Sequence, residues 1–311
     1  KEYLDVTESL GPSEIKGGNF KTYTQTNLGT RFLLILIKKL KGPIHNIACI
    51  PLYKLCIYLN ASSEKYHTLK NIFKDGKLSC PSSEDPMDIT FSQDEEITYG
   101  SIMMWDAYVN KKENTKKMNI LMPPNFQDLI KQCEDDNKYM VVCSLKLLAE
   151  HNIGENTSHA NALIFDTKRK TIERFDPHGG NEYKDVKLAY DTNSYGKHHF
   201  GEKSNAFYNQ VKIDTELSNK FKSVLPNYTY YGTNITTPYL GPQLKADAYG
   251  GLCVTWSTMY MVLRLLNPDL SPSDVTTKMI DGTPTELKNR ILRFQKFIIN
   301  TLKNEKTDIF T

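Results

Sequence analysis

The sequence has no hydrophobic run longer than the six residues 32–37, which Arg31 and Lys38 close. Six residues reach about 20 Å as a strand, short of the ~30 Å hydrocarbon core of a bilayer, so no transmembrane helix is expected. Residues 1–10 are polar and acidic, and no signal peptide is expected there. An excess of one charge is missing too: 39 Lys+Arg face 36 Asp+Glu, a net charge of +3. A dedicated nucleic-acid binder carries a larger basic excess, so nucleic acid is permitted as a partner but not indicated. There is no internal repeat and no low-complexity block. Cysteine is scarce, with six residues and no Cys-x-x-Cys spacing. The lack of that spacing argues against a structural zinc site, and neither metal nor cofactor is expected. Cys49, Cys143 and Cys253 lie in apolar runs. The cysteines therefore read as buried free thiols, which places the chain in a reducing, cytoplasmic compartment.

What is present is an ordinary globular mixture. The 311 residues are 39% hydrophobic and 24% charged. That suits one large domain or two modest ones and excludes wholesale disorder. Residues 30–40 form an apolar stretch that length alone leaves open between strand and helix. Residues 51–58 and 63–74 read as short helices, and 76–96, rich in Ser, Pro, Asp and Glu, as an exposed loop. Residues 99–110 are aromatic and Met-rich and read as core packing, and 126–133 read as a helix. Beyond about residue 135 the pattern changes. Residues 139–147 and 162–166 read as strands, and 167–170 as a charged turn. Residues 171–175 alternate as a partly exposed strand. Helices are expected over 202–224, 252–266, 271–280 and 284–304, with a short strand at 227–231. The expected organisation is an N-terminal accessory or substrate-docking region, 1–135, followed by an α+β core, 136–311.

Four residues of the second half belong together chemically. Cys253 opens an apolar helix behind Gly250, Gly251 and Leu252. A helix N-terminus lowers thiol pKa, and the thiolate is the nucleophile. Taken alone, Leu-Cys-Val-Thr-Trp is also what a core helix looks like. A thiol nucleophile needs a base, and the base an orienting acceptor. His159 stands just before the 162–166 strand, and Asp176 ends the strand that follows, 17 positions on. A hairpin of that size returns both to one edge. Gln243, after Gly241 and Pro242, could donate its amide to a developing oxyanion beside the Cys253 backbone N–H.

In the order His159-Ala-Asn-Ala-Leu-Ile-Phe-Asp, Ile-Glu-Arg-Phe-Asp176-Pro-His-Gly, Gly-Pro-Gln243 and Gly-Gly-Leu-Cys253, the chain resembles the adenain-like (CE-clan) cysteine peptidases. That superfamily includes adenovirus-type maturation proteases, SUMO proteases, bacterial effector deubiquitinases and proteases of large DNA viruses. The Phe-Asp-Pro-x-Gly segment looks closest to the viral members. The resemblance covers roughly residues 138–270. It implies a papain-like mixed sheet flanked by helices, with His159 as base, Asp176 as its orienter, Cys253 as nucleophile and Gln243 at the oxyanion. It implies a polypeptide substrate, either a viral structural precursor cleaved after Gly-type sites or a ubiquitin or ubiquitin-like conjugate. The setting would be the host cytoplasm or the virion if the chain is viral, and a degenerate, binding-only member is a further alternative. Two positions depart from the family pattern. Ala160 stands where many members have Trp, and ten residues separate Gln243 from Cys253, more than is usual. Residues 244–249 are therefore expected to bulge.

Other candidates rank lower. Cys143 with His151 is a second Cys/His pair, but Cys143 lies mid-strand. His198 and His199 are adjacent and would face opposite sides of a strand. His178 is a rival base two residues after Asp176. Lys168, Arg169 and Lys170 read as a solvated turn, and Gly179-Gly180 lacks the Lys-Ser/Thr of a phosphate loop.

Overall fold

A computed structural model describes residues 26–39, 43–50, 55–56, 97–98, 101–110, 115–122, 126–152, 155–180, 210–246 and 252–304. The apolar stretch that opens this range is a helix, α1 (Thr26–Lys39), and α2 (Pro43–Ile47) follows it. The strands are β1 (Ala48–Cys49), β2 (Leu55–Cys56), β3 (Ile97–Thr98), β4 (Ser101–Asn110) and β5 (Thr115–Leu121), then β6 (Met140–Asn152), β7 (Glu155–Asp166), β8 (Thr171–Phe175) and β9 (Thr229–Tyr231). The remaining helices are α3 (Phe126–Asp135), α4 (Gln210–Val224), α5 (Thr233–Thr236), α6 (Pro242–Lys245), α7 (Cys253–Leu266), α8 (Pro272–Met279) and α9 (Pro284–Asn304). No helix among the described residues is long and apolar enough to cross a membrane.

The fold is α+β around a mixed, seven-stranded sheet ordered β5-β4-β6-β7-β8-β9, with β1 also pairing with β6. β6–β7 and β7–β8 are antiparallel hairpin pairs, whereas β1–β6, β4–β6 and β8–β9 are parallel. Both faces of the sheet are covered. Met140, Val142, Ala162 and Ile164 pack with Phe32 of α1, Trp256 and Leu263 of α7, and Leu287, Ile291, Phe294 and Ile298 of α9. The alternate residues Val141, Cys143, Leu145, Leu163 and Phe165 pack with Phe126 and Ile130 of α3 and Ile213, Leu217 and Phe221 of α4. The strand period of two sends each set to its own face. The C-terminal helices start as their sequences dictate. Ser271 accepts a bond from the Asp274 N–H, and Thr283 and Glu286 cap α9 reciprocally.

Several expectations are corrected. Leu55–Cys56 is a strand paired with β3, inside a stretch read as helical. Residues 63–74 and 76–96 lie outside the described residues. β8 is buried from Ile172 to Phe175, with only Thr171 half-buried. Glu173 and Arg174 are 2% and 0% exposed, because each finds a buried partner. Arg264 clamps the Glu173 carboxylate at 2.8 and 2.9 Å, with Tyr260 donating at 3.2 Å. Nor are all the thiols free: Cys49 and Cys133 form a disulfide, Cα atoms 5.9 Å apart. Their sequence separation of 84 hides this pairing, which arises only when β1 lies beside β6 and α3 packs on the sheet. The charged turn is solvated as read, with Arg169 and Lys170 making surface pairs to Asp166 and Asp269 and to Glu134 respectively. Apart from these differences, β4 pairs with β6 within the sheet, and α1 packs on α7 and α9.

Candidate active site

His159 lies within β7 rather than ahead of it, opposite Leu147 of β6. The polar Ser158-His159 pair hides the strand in the sequence. β7 and β8 return the chain so that Asp176, the residue after β8, meets His159: Nε2 stands 2.7 Å from Asp176 Oδ1. The pair is buried, His159 4% and Asp176 0% exposed. With Nε2 committed to the carboxylate, Nδ1 is the nitrogen left for the Cys253 thiol, with which His159 is hydrogen-bonded. Cys253 is the first residue of α7 and is partly exposed. Its N-cap Leu252 supplies no side-chain cap to the first turn. Ser257 Oγ donates to the Ala160 carbonyl at 3.0 Å, tying α7 to the strand that carries His159.

The electrostatics follow from this geometry. Burial disfavours the imidazolium, but the Asp176 charge, its hydrogen bond and the Cys253 sulfur outweigh that and push His159 up to about 9. Burial likewise opposes the thiolate. Bonding to His159, its charge and backbone bonds from Ala160 and Val254 prevail and hold Cys253 below the usual thiol range. Asp176 is driven well below the carboxylate range despite burial, chiefly by His159. Cys143 is buried, and desolvation pushes its thiol far up.

The Asp176 carboxylate is held from several sides. Arg174 Nη2 donates to Oδ2 at 3.1 Å, Gln210 Nε2 to Oδ2 at 2.9 Å, and the His178 N–H to Oδ1 at 2.8 Å. Arg174 is itself fixed by Asn161, Asp214 and the Gln210 carbonyl at 2.8, 2.9 and 2.7 Å. The sequence reading missed Arg174, Gln210 and Asn161. The alternation of 171–175 reads as a half-exposed strand and gives no sign of a buried Arg174, and Gln210 arrives from a distant helix.

Gln243 is placed by the Asp176 loop rather than by its spacing to Cys253. Three backbone bonds zip the two segments: Gly180 N–H to Pro238 O at 2.9 Å, and Gly241 N–H to His178 O and Gln243 N–H to Pro177 O, both at 3.0 Å. The approach is so close that a Cβ on Gly241 would sit 2.3 Å from Pro177 O. Gly179 has φ +119°, the left-handed region that favours glycine, and a Cβ there would meet Tyr239 O at 2.4 Å. These glycines serve backbone contact, not phosphate. Gln243 is 6% exposed, and its Oε1 has no hydrogen-bond partner among the described residues. Its helix α6 packs against α7. The expected bulge, residues 244–249, lies partly outside the described residues, as do His198 and His199.

His159, Asp176 and His178 offer atoms within 4.8 Å of one another, a grouping with metal-ligand residue types. The two imidazoles, however, stack in parallel at 3.8 Å with 2° between planes. In-plane lone pairs of parallel rings do not converge on one ion, so the group fits a hydrogen-bonded dyad better than a metal site.

No family model matches the chain. The chain is similar to a putative ankyrin repeat protein, L371, of Acanthamoeba polyphaga mimivirus, 26% identical over 203 residues. That match covers 59% of this chain and spans 23% of the length of the mimivirus protein. Among solved structures, the Chlamydia trachomatis effector protein ChlaDUB1 aligns over 97% of this chain and 90% of its own, at 9% identity and a TM-score of 0.38.

Proposed function

We propose that the protein is a thiol-dependent cysteine peptidase with a papain-like, adenain-like catalytic core. The supporting observation is one imidazole bonded at Nε2 to a buried carboxylate and also to the thiol at the start of α7. In this reading His159 holds the proton of Cys253 as imidazolium, and the thiolate attacks an acyl carbonyl. The oxyanion takes hydrogen bonds from first-turn amides of α7 and from Gln243. His159 then protonates the leaving amine, and an acyl-thioester remains on Cys253. Water, deprotonated by His159, hydrolyses the thioester and returns the thiol. Asp176 keeps the ring oriented and stabilises its charge through each transfer. The carboxylate can do so because Arg174 and Gln210 fix its second oxygen.

The substrate is then a polypeptide acyl group: a linear peptide, such as a viral structural precursor, or the C-terminus of ubiquitin or a ubiquitin-like modifier on a conjugate. Residues 1–135 are the proposed docking region. Fluorogenic substrates built on a Gly-terminated peptide, on ubiquitin and on SUMO test both levels. Turnover of at least one, abolished in Cys253→Ala and retained in Cys143→Ala, supports the peptidase, and the preferred substrate assigns the class. A chain that turns over none of them, or a Cys253→Ala variant that retains turnover, contradicts the reading.

A further inference from the structure

Beside the proposed triad stands a second imidazole with no assigned role. His178 is 1% exposed, and its ring lies 3.8 Å from that of His159 with 2° between the planes. Its backbone is pinned at both ends: the N–H donates to Asp176 Oδ1 at 2.8 Å and the carbonyl accepts from Gly241 at 3.0 Å. The ring is therefore held against His159 by the same loop that presents the carboxylate. It is poorly placed as a base, because its Nδ1 lies 4.0 Å from Asp176 Oδ1 while His159 takes the 2.7 Å bond.

We propose that His178 is a positioning residue, whose ring covers one face of His159 and holds that imidazole between the Asp176 carboxylate and the Cys253 sulfur. The inference rests on the peptidase reading above. The ring excludes water from the flat face of His159, which strengthens pairing to both neighbours. It also offers a π surface to the imidazolium. Two stacked cations would repel, and burial together with the His159 charge holds His178 well below the usual histidine range, so it stays neutral. The charged or titratable groups around the stack are Asp176 from its own loop and Cys253 from α7, with Arg174 from β8 behind the carboxylate.

The test is the ratio of Cys253 alkylation rates by iodoacetamide at about pH 6 and about pH 9, a reading of thiolate fraction within one folded sample. Thermal melts verify the fold of each variant. In His178→Ala the ratio is expected to fall by about twofold or more, as the thiolate fraction at the lower pH drops while that at the higher pH is retained. In His178→Phe, a flat ring without titration, the wild-type ratio is expected to return. An unchanged ratio in His178→Ala overturns the proposal, as does a His178→Phe ratio as low as that of His178→Ala. If wild-type Cys253 already titrates as an ordinary thiol and His159→Ala leaves its rate at about pH 6 unchanged, the triad itself is refuted. The proposal then falls with it, by a result distinct from the other two.

Discussion

Asp176 takes bonds or charge contacts from His159, His178, Arg174 and Gln210, and this convergence sets the chemistry of the site. The Asp176→Asn variant keeps the shape and loses the charge. Its turnover is expected to fall by about 10²–10⁴. The alkaline limb of its pH–rate profile, set by His159 at about 9, is expected to move to lower pH. A profile unmoved by the substitution contradicts the assignment. Stability follows the same groups with opposite signs. His159 is raised above its ordinary 6.5, so its contribution is full below that pH and is lost as pH rises through about 9. Asp176 is lowered from 3.8, so its contribution is present above that pH and is lost as pH falls toward its native value. The residue types at His159, Asp176 and Cys253 were legible because their order and spacing carry chemistry. Gln210 and Asn161 were not, because nothing local to either residue marks it for a carboxylate or guanidinium far along the chain.

Among the elements, β8 joins both faces of the sheet to the helices. Ile172 packs with α3 and α4, and Arg174 points to Asp214 and Gln210 of α4; on the other face Phe175 stacks on Tyr260, and Glu173 meets Arg264, both of α7. The Glu173–Arg264 pair thus fixes the helix that carries Cys253 to the strand that leads to Asp176. Removing one partner strands a buried charge. Glu173→Gln is expected to cost about 3–5 kcal/mol in urea unfolding, and the double variant Glu173→Leu/Arg264→Met to recover most of it. A loss below about 1 kcal/mol, as for an exposed pair, contradicts this placement. Helices with sharp caps and a full apolar stripe, such as α9 with Leu287, Ile291, Phe294 and Ile298, were readable from periodicity. β8 misled because Thr-Ile-Glu-Arg-Phe alternates like a half-exposed strand, while its polar side chains are satisfied only by tertiary partners. Gln243 misled for a related reason: its position follows the glycine-lined contact of 176–180 with 237–243, not its distance along the chain to Cys253.

For the whole molecule, the sheet joins segments that the sequence separates. β4 and β1, from before residue 135, flank β6 on one side, and the Cys49–Cys133 disulfide fastens β1 to α3. Closing an 84-residue separation restricts the unfolded chain. Cys49→Ser with Cys133→Ser is therefore expected to lower stability by about 2–4 kcal/mol while leaving the site geometry intact. Equal unfolding midpoints with and without reductant would show that the bridge contributes nothing. The central claim concerns Cys253, and site-resolved alkylation followed by peptide mapping tests it most directly. At about pH 6 rapid modification of Cys253, none of buried Cys143, and loss of the Cys253 reaction in His159→Ala are expected. Equal, slow modification of Cys253 in wild type and His159→Ala would contradict it.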